Sequence, residues 1–152
     1  MTAGKVAPHL RKTTLADAEA VRALVEELGY GPLEASTFAR GLAAVLEDPA
    51  QQLLVAEVDE EVVGFMSLDI KPQVRLVGLV VTIDELVVTE RARGRGVGKR
   101  LVDFAKAEAI RTGARRLELH TGRKRPSYER GFYVKNGFTE VDSAVLRWLE
   151  AT

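Results

Sequence analysis

The sequence contains no cysteine and only two histidines, His9 and His120, which stand far apart along the chain. Without thiolates there is no cysteine nucleophile, no thiolate zinc site and no iron-sulfur cluster. Two histidines at this separation do not form a paired-imidazole metal site at helical spacing, and a hydrolase relying on a histidine base has only these two to draw on. The expectation is chemistry without a metal. Net charge is missing too, because 22 Lys plus Arg balance 22 Asp plus Glu. Bulk attraction to nucleic acid or to an anionic membrane is therefore not expected, although a local cluster such as Arg91 to Arg95 can still hold a phosphate. No apolar run approaches the roughly 20 residues that cross a bilayer. The first residues lack the basic-then-apolar pattern of a signal peptide, so a cytoplasmic location is expected.

What is present suits one folded domain spanning residues 1–152. A chain of this size buries roughly 70% of its unfolded surface without needing disulfides or structural metal. Residues 6–10 read as a short edge strand, since Pro8 removes a ladder donor. Thr14 followed by Asp17 resembles a capping box, and beyond it Val21, Leu24, Val25 and Leu28 recur at helical spacing before Gly29. Gly31 and Pro32 form a turn ahead of a second helical stretch over 33–46, with Phe38, Leu42, Val45 and Leu46 on one side. Gln52 to Ala56 and Val62 to Met66 read as a hairpin turning at Asp59-Glu60-Glu61. Residues 75–88 are rich in β-branched residues and end in a strand at Leu86-Val87-Val88. A helix is expected from Val97 to about Thr112, stopped by Gly113, and then a strand from Leu117 to His120. A short helix over 126–136 and a closing hairpin of 138–141 with 144–149 complete a mixed α/β (α+β) layer structure.

The most informative stretch runs from Leu86 through Arg93-Gly94-Arg95-Gly96-Val97-Gly98 to Leu101, a strand leading through glycines into a helix. Glycines let a ligand approach the backbone, and a helix start offers unpaired N–H groups and the positive end of its dipole. That combination binds phosphate. A Walker A loop requires Gly where Arg93 stands and Ser or Thr where Arg100 stands. A dinucleotide fingerprint places its third small residue at Lys99 or at Leu101, depending on its start. Both readings fail.

The spacing that does match is Arg/Gln-x-x-Gly-x-Gly/Ala after a Leu-x-Val strand end. With Phe132-Tyr133-Val134-Lys135-Asn136-Gly137-Phe138 about 40 residues further on, the sequence resembles the GNAT superfamily of N-acetyltransferases over nearly its whole length. The resemblance implies the acyl-CoA N-acyltransferase fold, a mostly antiparallel sheet of six to seven strands flanked by about four helices. It implies acetyl-CoA as co-substrate, transferred to a primary amine by direct attack in a ternary complex with no covalent acyl-enzyme. By motif match Arg93, Gly94, Arg95, Gly96, Val97, Gly98 and Lys99 cradle the pyrophosphate with Arg100 next in line, while Leu86, Val87 and Val88 flank the pantetheine arm. The amide of Leu86 would polarise the thioester carbonyl, and Tyr133 would protonate the departing thiolate, with Tyr128 as understudy. Three and six residues before the aromatic pair, where the family often has a small residue and Asn, this chain has Glu129 and Pro126.

An amine with a lysine-like pKa of about 10 must lose a proton before it attacks. Glu85 is the first candidate base and Asp84 the second; adjacent on a strand, they are expected on opposite faces, so that only one meets the cleft. The histone-modifying branch of the family keeps its glutamate at the position of Thr82, which leaves water as an alternative. Tyr30, in the loop between the first two helices, is a substrate-contact candidate by resemblance, together with Glu85. Glu26, Glu27, Glu34, Asp84 and Glu85 hint at a cationic acceptor, a small molecule or a peptide amine. A homodimer is one arrangement relatives use. The competing readings are a noncatalytic acyl-CoA-binding or regulatory module and an arginine loop that contacts nucleic acid; neutral net charge disfavours the latter.

Overall fold

The computed structural model describes residues 7–150, so Val6 of the expected edge strand lies outside the described residues. Two compact units follow one another, the first reaching to His120 and the second starting at Thr121.

The first unit contains a five-stranded sheet in the order β1-β2-β3-β4-β5. The strands are β1 (His9–Lys12), β2 (Gln51–Val58), β3 (Glu61–Gln73), β4 (Gly78–Val88) and β5 (Arg116–Leu119). All neighbours are antiparallel except β4 and β5, which run parallel. Three helices accompany the sheet: α1 (Ala18–Glu27), α2 (Ala35–Glu47) and α3 (Val97–Arg111). Before α1 the Asp17 carboxylate accepts from the Thr14 N–H at 2.8 Å, as the capping-box pattern predicts, and Arg11 grips the same carboxylate with two N–H groups, each at 2.8 Å. The second helix begins at Ala35, two residues later than its apolar pattern suggests. Glu34 is its N-cap, accepting from the amides of Ser36 (3.0 Å) and Thr37 (2.7 Å).

One sheet face is covered by α1 and α2, where Val21, Leu24 and Leu42 pack with Leu53, Val55, Phe65 and Val87. On the other face lies α3, with Val97, Leu101, Val102 and Ala105 buried. Each large apolar side chain buried in this way contributes roughly 1.5–3 kcal/mol. The approach is close because Gly64 has no side chain. A Cβ there would stand 3.1 Å from Val97 Cγ1.

The second unit contains α4 (Pro126–Glu129) and α5 (Phe132–Lys135). The single helix expected over 126–136 is two, because Gly131 takes a left-handed conformation, with φ of 70°, between them. The closing hairpin is not formed, and five strands stand among the described residues instead of six or seven. Two features of the sequence explain this. Ala144-Val145-Leu146-Arg147-Trp148-Leu149 has apolar residues in runs instead of alternation, so neither strand face is apolar throughout. Asp142-Ser143 also lacks the glycine that a tight two-residue hairpin turn favours.

Candidate active site

The sequence places its chemistry at the end of β4, and three features of that strand set the geometry. The first is where pairing stops. β5 pairs with Val80 to Ile83 only, so among the described residues no strand adjoins Asp84 to Val88 on that side. The second is the direction of the amides. The N–H of Glu85 donates to Ser67 Oγ at 3.1 Å and that of Thr89 to the Val63 carbonyl at 2.8 Å, both toward β3. Alternation along a strand then aims the N–H groups of Leu86 and Val88 at the unpaired edge. Val87 points its amide back at β3 and its side chain into the core under α1, 4% exposed, so of the three flanking residues it is the one without a group on that edge.

The third feature is a bulge. Ser67 pairs with Glu85 and Leu68 with Ile83, which leaves Asp84 as an extra residue in β4. A bulge breaks strict alternation. Asp84 feels the charges of Asp69 and Lys71, which lie at alternate positions from Ser67 along β3, and Glu85 feels Asp84. The bulge thus suspends, at Asp84 and Glu85, the regular alternation from which the two carboxylates are expected on opposite faces. Burial, then the Asp84 charge, pushes the Glu85 carboxyl above the ordinary carboxylate range. Burial and Asp69 raise Asp84 as well, against smaller lowering effects of Lys71 and His120, the latter just past the end of β5. Thr82 pairs with Asp69 of β3 and with Glu118 of β5, three residues before Glu85 along β4.

Beyond β4 the chain makes one tight turn over Glu90–Ala92 and enters α3 through Gly94 and Gly96, with φ of 76° and 82°. Gly96 is the N-cap of α3, and the first bond of the helix runs from the Arg100 N–H to its carbonyl at 3.0 Å. The amides of Val97, Gly98 and Lys99 therefore precede the helical ladder. A Cβ on Gly94 or on Gly96 would meet nothing within 4 Å, so the backbone here is open to a ligand. Val97 presents only its backbone, since its side chain is buried. The cations divide by partner: Arg91 is paired with Glu61 at 2.5 Å, Arg93 donates to the Val88 carbonyl at 3.1 Å, and Lys99 pairs with Asp103 at 2.7 Å. Arg95 and Arg100 are exposed beside the helix start.

The glutamates that hint at a cationic acceptor are mostly engaged elsewhere. Glu34 is held at about 2 by the Thr37 and Ser36 hydroxyls and amides. Glu26 Oε1 accepts from the Leu33 N–H at 2.9 Å and from Arg22 at 2.8 Å, while Arg22 donates to the Leu33 carbonyl at 3.0 Å. This fastens the loop carrying Tyr30, which is 62% exposed. Glu27 accepts from the Thr89 hydroxyl at 2.8 Å and, with Ala23, Val62 and Arg91, lines a cleft of about 360 Å³ near the end of β4. Asp84 and Glu85 remain. Sequence reasoning missed Ser67, although a lone serine inside the apolar run Val63 to Leu68 was a signal that something polar faces it.

Tyr133 belongs to the second unit, on α5. Its ring is edge-on to Phe132 and Phe138, with centroids 5.0 and 5.9 Å away. Burial raises its hydroxyl pKa against the smaller lowering effects of Arg125 and Arg130, so the proton is kept throughout the neutral range. Tyr128 donates its hydroxyl to Glu140 at 2.8 Å, and Arg123 is tied to the same carboxylate at 3.0 Å. Among the described residues no group of three or more His, Asp or Glu is placed to hold a metal ion.

The chain is 36% identical over 132 residues to an aminoalkylphosphonate N-acetyltransferase of Salmonella typhimurium, covering 87% of this chain and 85% of that protein. An uncharacterised N-acetyltransferase of Bacillus subtilis is 30% identical over 137 residues, covering 87% and 90%. Among solved structures, a transcriptional regulator from Bacillus halodurans superposes with a TM-score of 0.86 at 24% identity, over 94% of this chain and all of that one, which shows a shared fold. The sequence pattern of the acetyltransferase (GNAT) family matches residues 16–138, and the chain belongs to that family.

Proposed function

We propose that this chain is an acetyl-CoA-dependent N-acetyltransferase acting on a primary amine by direct attack in a ternary complex, as one domain over residues 1–152 in the cytoplasm. One observation carries the reading: the unpaired edge of β4, with two amides aimed along it, leads directly into an open, glycine-lined helix start. The amides from Gly94 to Lys99 hold the pyrophosphate, with Arg95 and Arg100 supplying charge at the rim. Leu86 donates its N–H to the thioester carbonyl oxygen, where negative charge grows as the amine attacks. A fixed donor of this kind is worth about 3–4 kcal/mol of barrier in other acyl transfers. Glu85 takes the proton from the amine, directly or through water. The nitrogen bonds to the acetyl carbon as the carbon–sulfur bond breaks, and Tyr133 gives its proton to the sulfur, whose thiol pKa lies near 8.5 by analogy with cysteine.

The acceptor class to test first is that of the Salmonella relative, an amine on an alkyl chain ending in phosphonate; amines of peptides come second. Thermal unfolding is the first measurement. At a hundredfold excess over its dissociation constant acetyl-CoA adds roughly 2.7 kcal/mol, so Tm rises by about 5–10 °C, with CoA acting similarly and ATP without effect. No shift from acetyl-CoA on a folded protein removes the reading. If acetyl-CoA binds, thiol release upon adding aminoalkylphosphonates and peptide amines identifies the acceptor class.

Tyr133→Phe removes only the hydroxyl. Turnover is expected to fall about 10²-fold while the acetyl-CoA dissociation constant stays within twofold, since the ring keeps its contacts with Phe132 and Phe138. A rate unchanged across the full pH profile takes Tyr133 out of the chemistry.

A further inference from the structure

Ser67 occupies the middle of β3 and is 2% exposed, flanked along its strand by the fully buried Met66 and Leu68. A hydroxyl in such a place costs stability unless both its donor and its acceptor capacity are met. Glu85 meets both. The Ser67 O–H donates to the Glu85 carboxylate, and Ser67 Oγ accepts from the Glu85 N–H at 3.1 Å. The residue thus touches the backbone and the side-chain end of the same glutamate, at the point where the bulge has moved β4 out of register.

We propose that Ser67 is a positioning residue for the acetyl transfer, its hydroxyl clamping the Glu85 carboxylate in one orientation at the bulge of β4. The inference rests on the reading of Glu85 as the base. A glutamate side chain has three rotatable bonds, and a base serves only within hydrogen-bond reach of the proton it takes, so an anchor in the sheet core converts a mobile acid into a directed one. A hydrogen bond donated to the carboxylate also favours its ionised form and opposes the burial that raises Glu85.

Charged groups approach this point from several elements. Asp84 adjoins Glu85 on its own strand; Asp69 and Lys71 of β3, paired at 3.2 Å, act on Asp84, as does His120 beyond β5. On α1, which packs against β3 and β4, Arg22 pairs with Glu19 and Glu26, and Glu27 bonds Thr89. On α2, Glu34 caps the helix, while Arg40 and Glu47 are exposed. Ser67 is the side chain whose removal alters the Glu85 environment without altering a charge.

The test uses Ser67→Ala and, so that the position stays filled, Ser67→Cys. Carbon-13 NMR follows the Glu85 carboxyl titration in the free protein, identified by its loss in Glu85→Gln. The titration is expected to move up by about one pH unit in Ser67→Ala, and in the same direction but less in Ser67→Cys. The acidic limb of kcat/KM should move with it, so that activity falls about tenfold below the limb and recovers to within threefold above it. A filler role for Ser67 instead lowers activity equally at every pH and leaves the titration where it was, which overturns the proposal. If the carboxyl titration moves and the acidic limb does not, the base assignment of Glu85 fails, and the positioning role fails with it. Glu85→Gln at wild-type rates overturns the base assignment independently of Ser67.

Discussion

Gly96→Glu abolishes the acetyl-CoA-induced rise in Tm and weakens binding by more than 100-fold in titration calorimetry. Gly96 is the N-cap of α3 in a left-handed conformation, and the space above its Cα is open. A glutamate there places a bulky anion where the pyrophosphate lies and sets a like charge against it, next to the amides that otherwise attract phosphate. The variant also carries backbone strain of about 1–2 kcal/mol, because a residue with a Cβ adopts positive φ at a cost. Binding is therefore measured well below the lowered Tm. Gly96→Asn separates the two effects, since asparagine tolerates this conformation better than other side chains and adds no charge. It should lose part of the affinity and keep a measurable shift. Wild-type affinity in Gly96→Glu means that the glycine turn does not hold the coenzyme.

The glycine turn was legible in the sequence because its physics is local. Glycine at 94 and 96 lets the backbone turn with positive φ without strain and leaves room for a ligand, and Leu101 and Ala105 repeat at the spacing that lays α3 on the sheet. The β2–β3 hairpin was legible for the same reason, with two apolar runs around a polar turn. Elements that depend on a distant partner were not. Whether 144–149 forms a strand depends on an edge to pair with, and its apolar runs satisfy the composition of a strand without the alternation. The break at Gly131 was a matter of choosing between a glycine within one helix and a glycine between two, which helical periodicity over so few residues does not decide.

The candidate site shows the same division. Residues along one stretch of chain, from Leu86 to Arg100, were found together because the motif is contiguous. The relation of Asp84 to Glu85 was not legible, because alternation assumes a regular strand. The bulge is set by how β3 pairs across it, a non-local fact with no mark in β4 itself. Ser67 escaped for a related reason: its significance lies in the residue opposite, 18 positions away in sequence. The acidic residues near α1 and α2 were overcounted, since composition does not reveal that Glu34 caps a helix and Glu26 fastens a loop.

Glu85→Gln tests the step on which the chemistry turns. The replacement keeps the length and shape of the side chain and can still bond Ser67, but it takes no proton. Turnover is expected to fall by about 10²–10⁴-fold with acetyl-CoA affinity unchanged, as for the loss of a general base. The pH dependence sharpens this expectation. Burial and the neighbouring Asp84 raise the Glu85 carboxyl, so as pH drops the ionised form is lost sooner than in a free glutamate, and kcat/KM of the wild type declines from above the ordinary carboxylate range. Asp84→Asn removes the like charge and moves that limb down, toward the ordinary value, while Glu85→Gln removes the limb. Stability provides the control, with its sign fixed by linkage. A carboxyl whose pKa is raised in the folded state is ionised there at a cost, so the wild type is penalised above the raised value and not below the unfolded one. Glu85→Gln is therefore as stable as the wild type, or more so, at neutral pH, and the difference vanishes in acid. An inactive variant that is also less stable at neutral pH would show that Glu85 holds the strand together and does not act as the base.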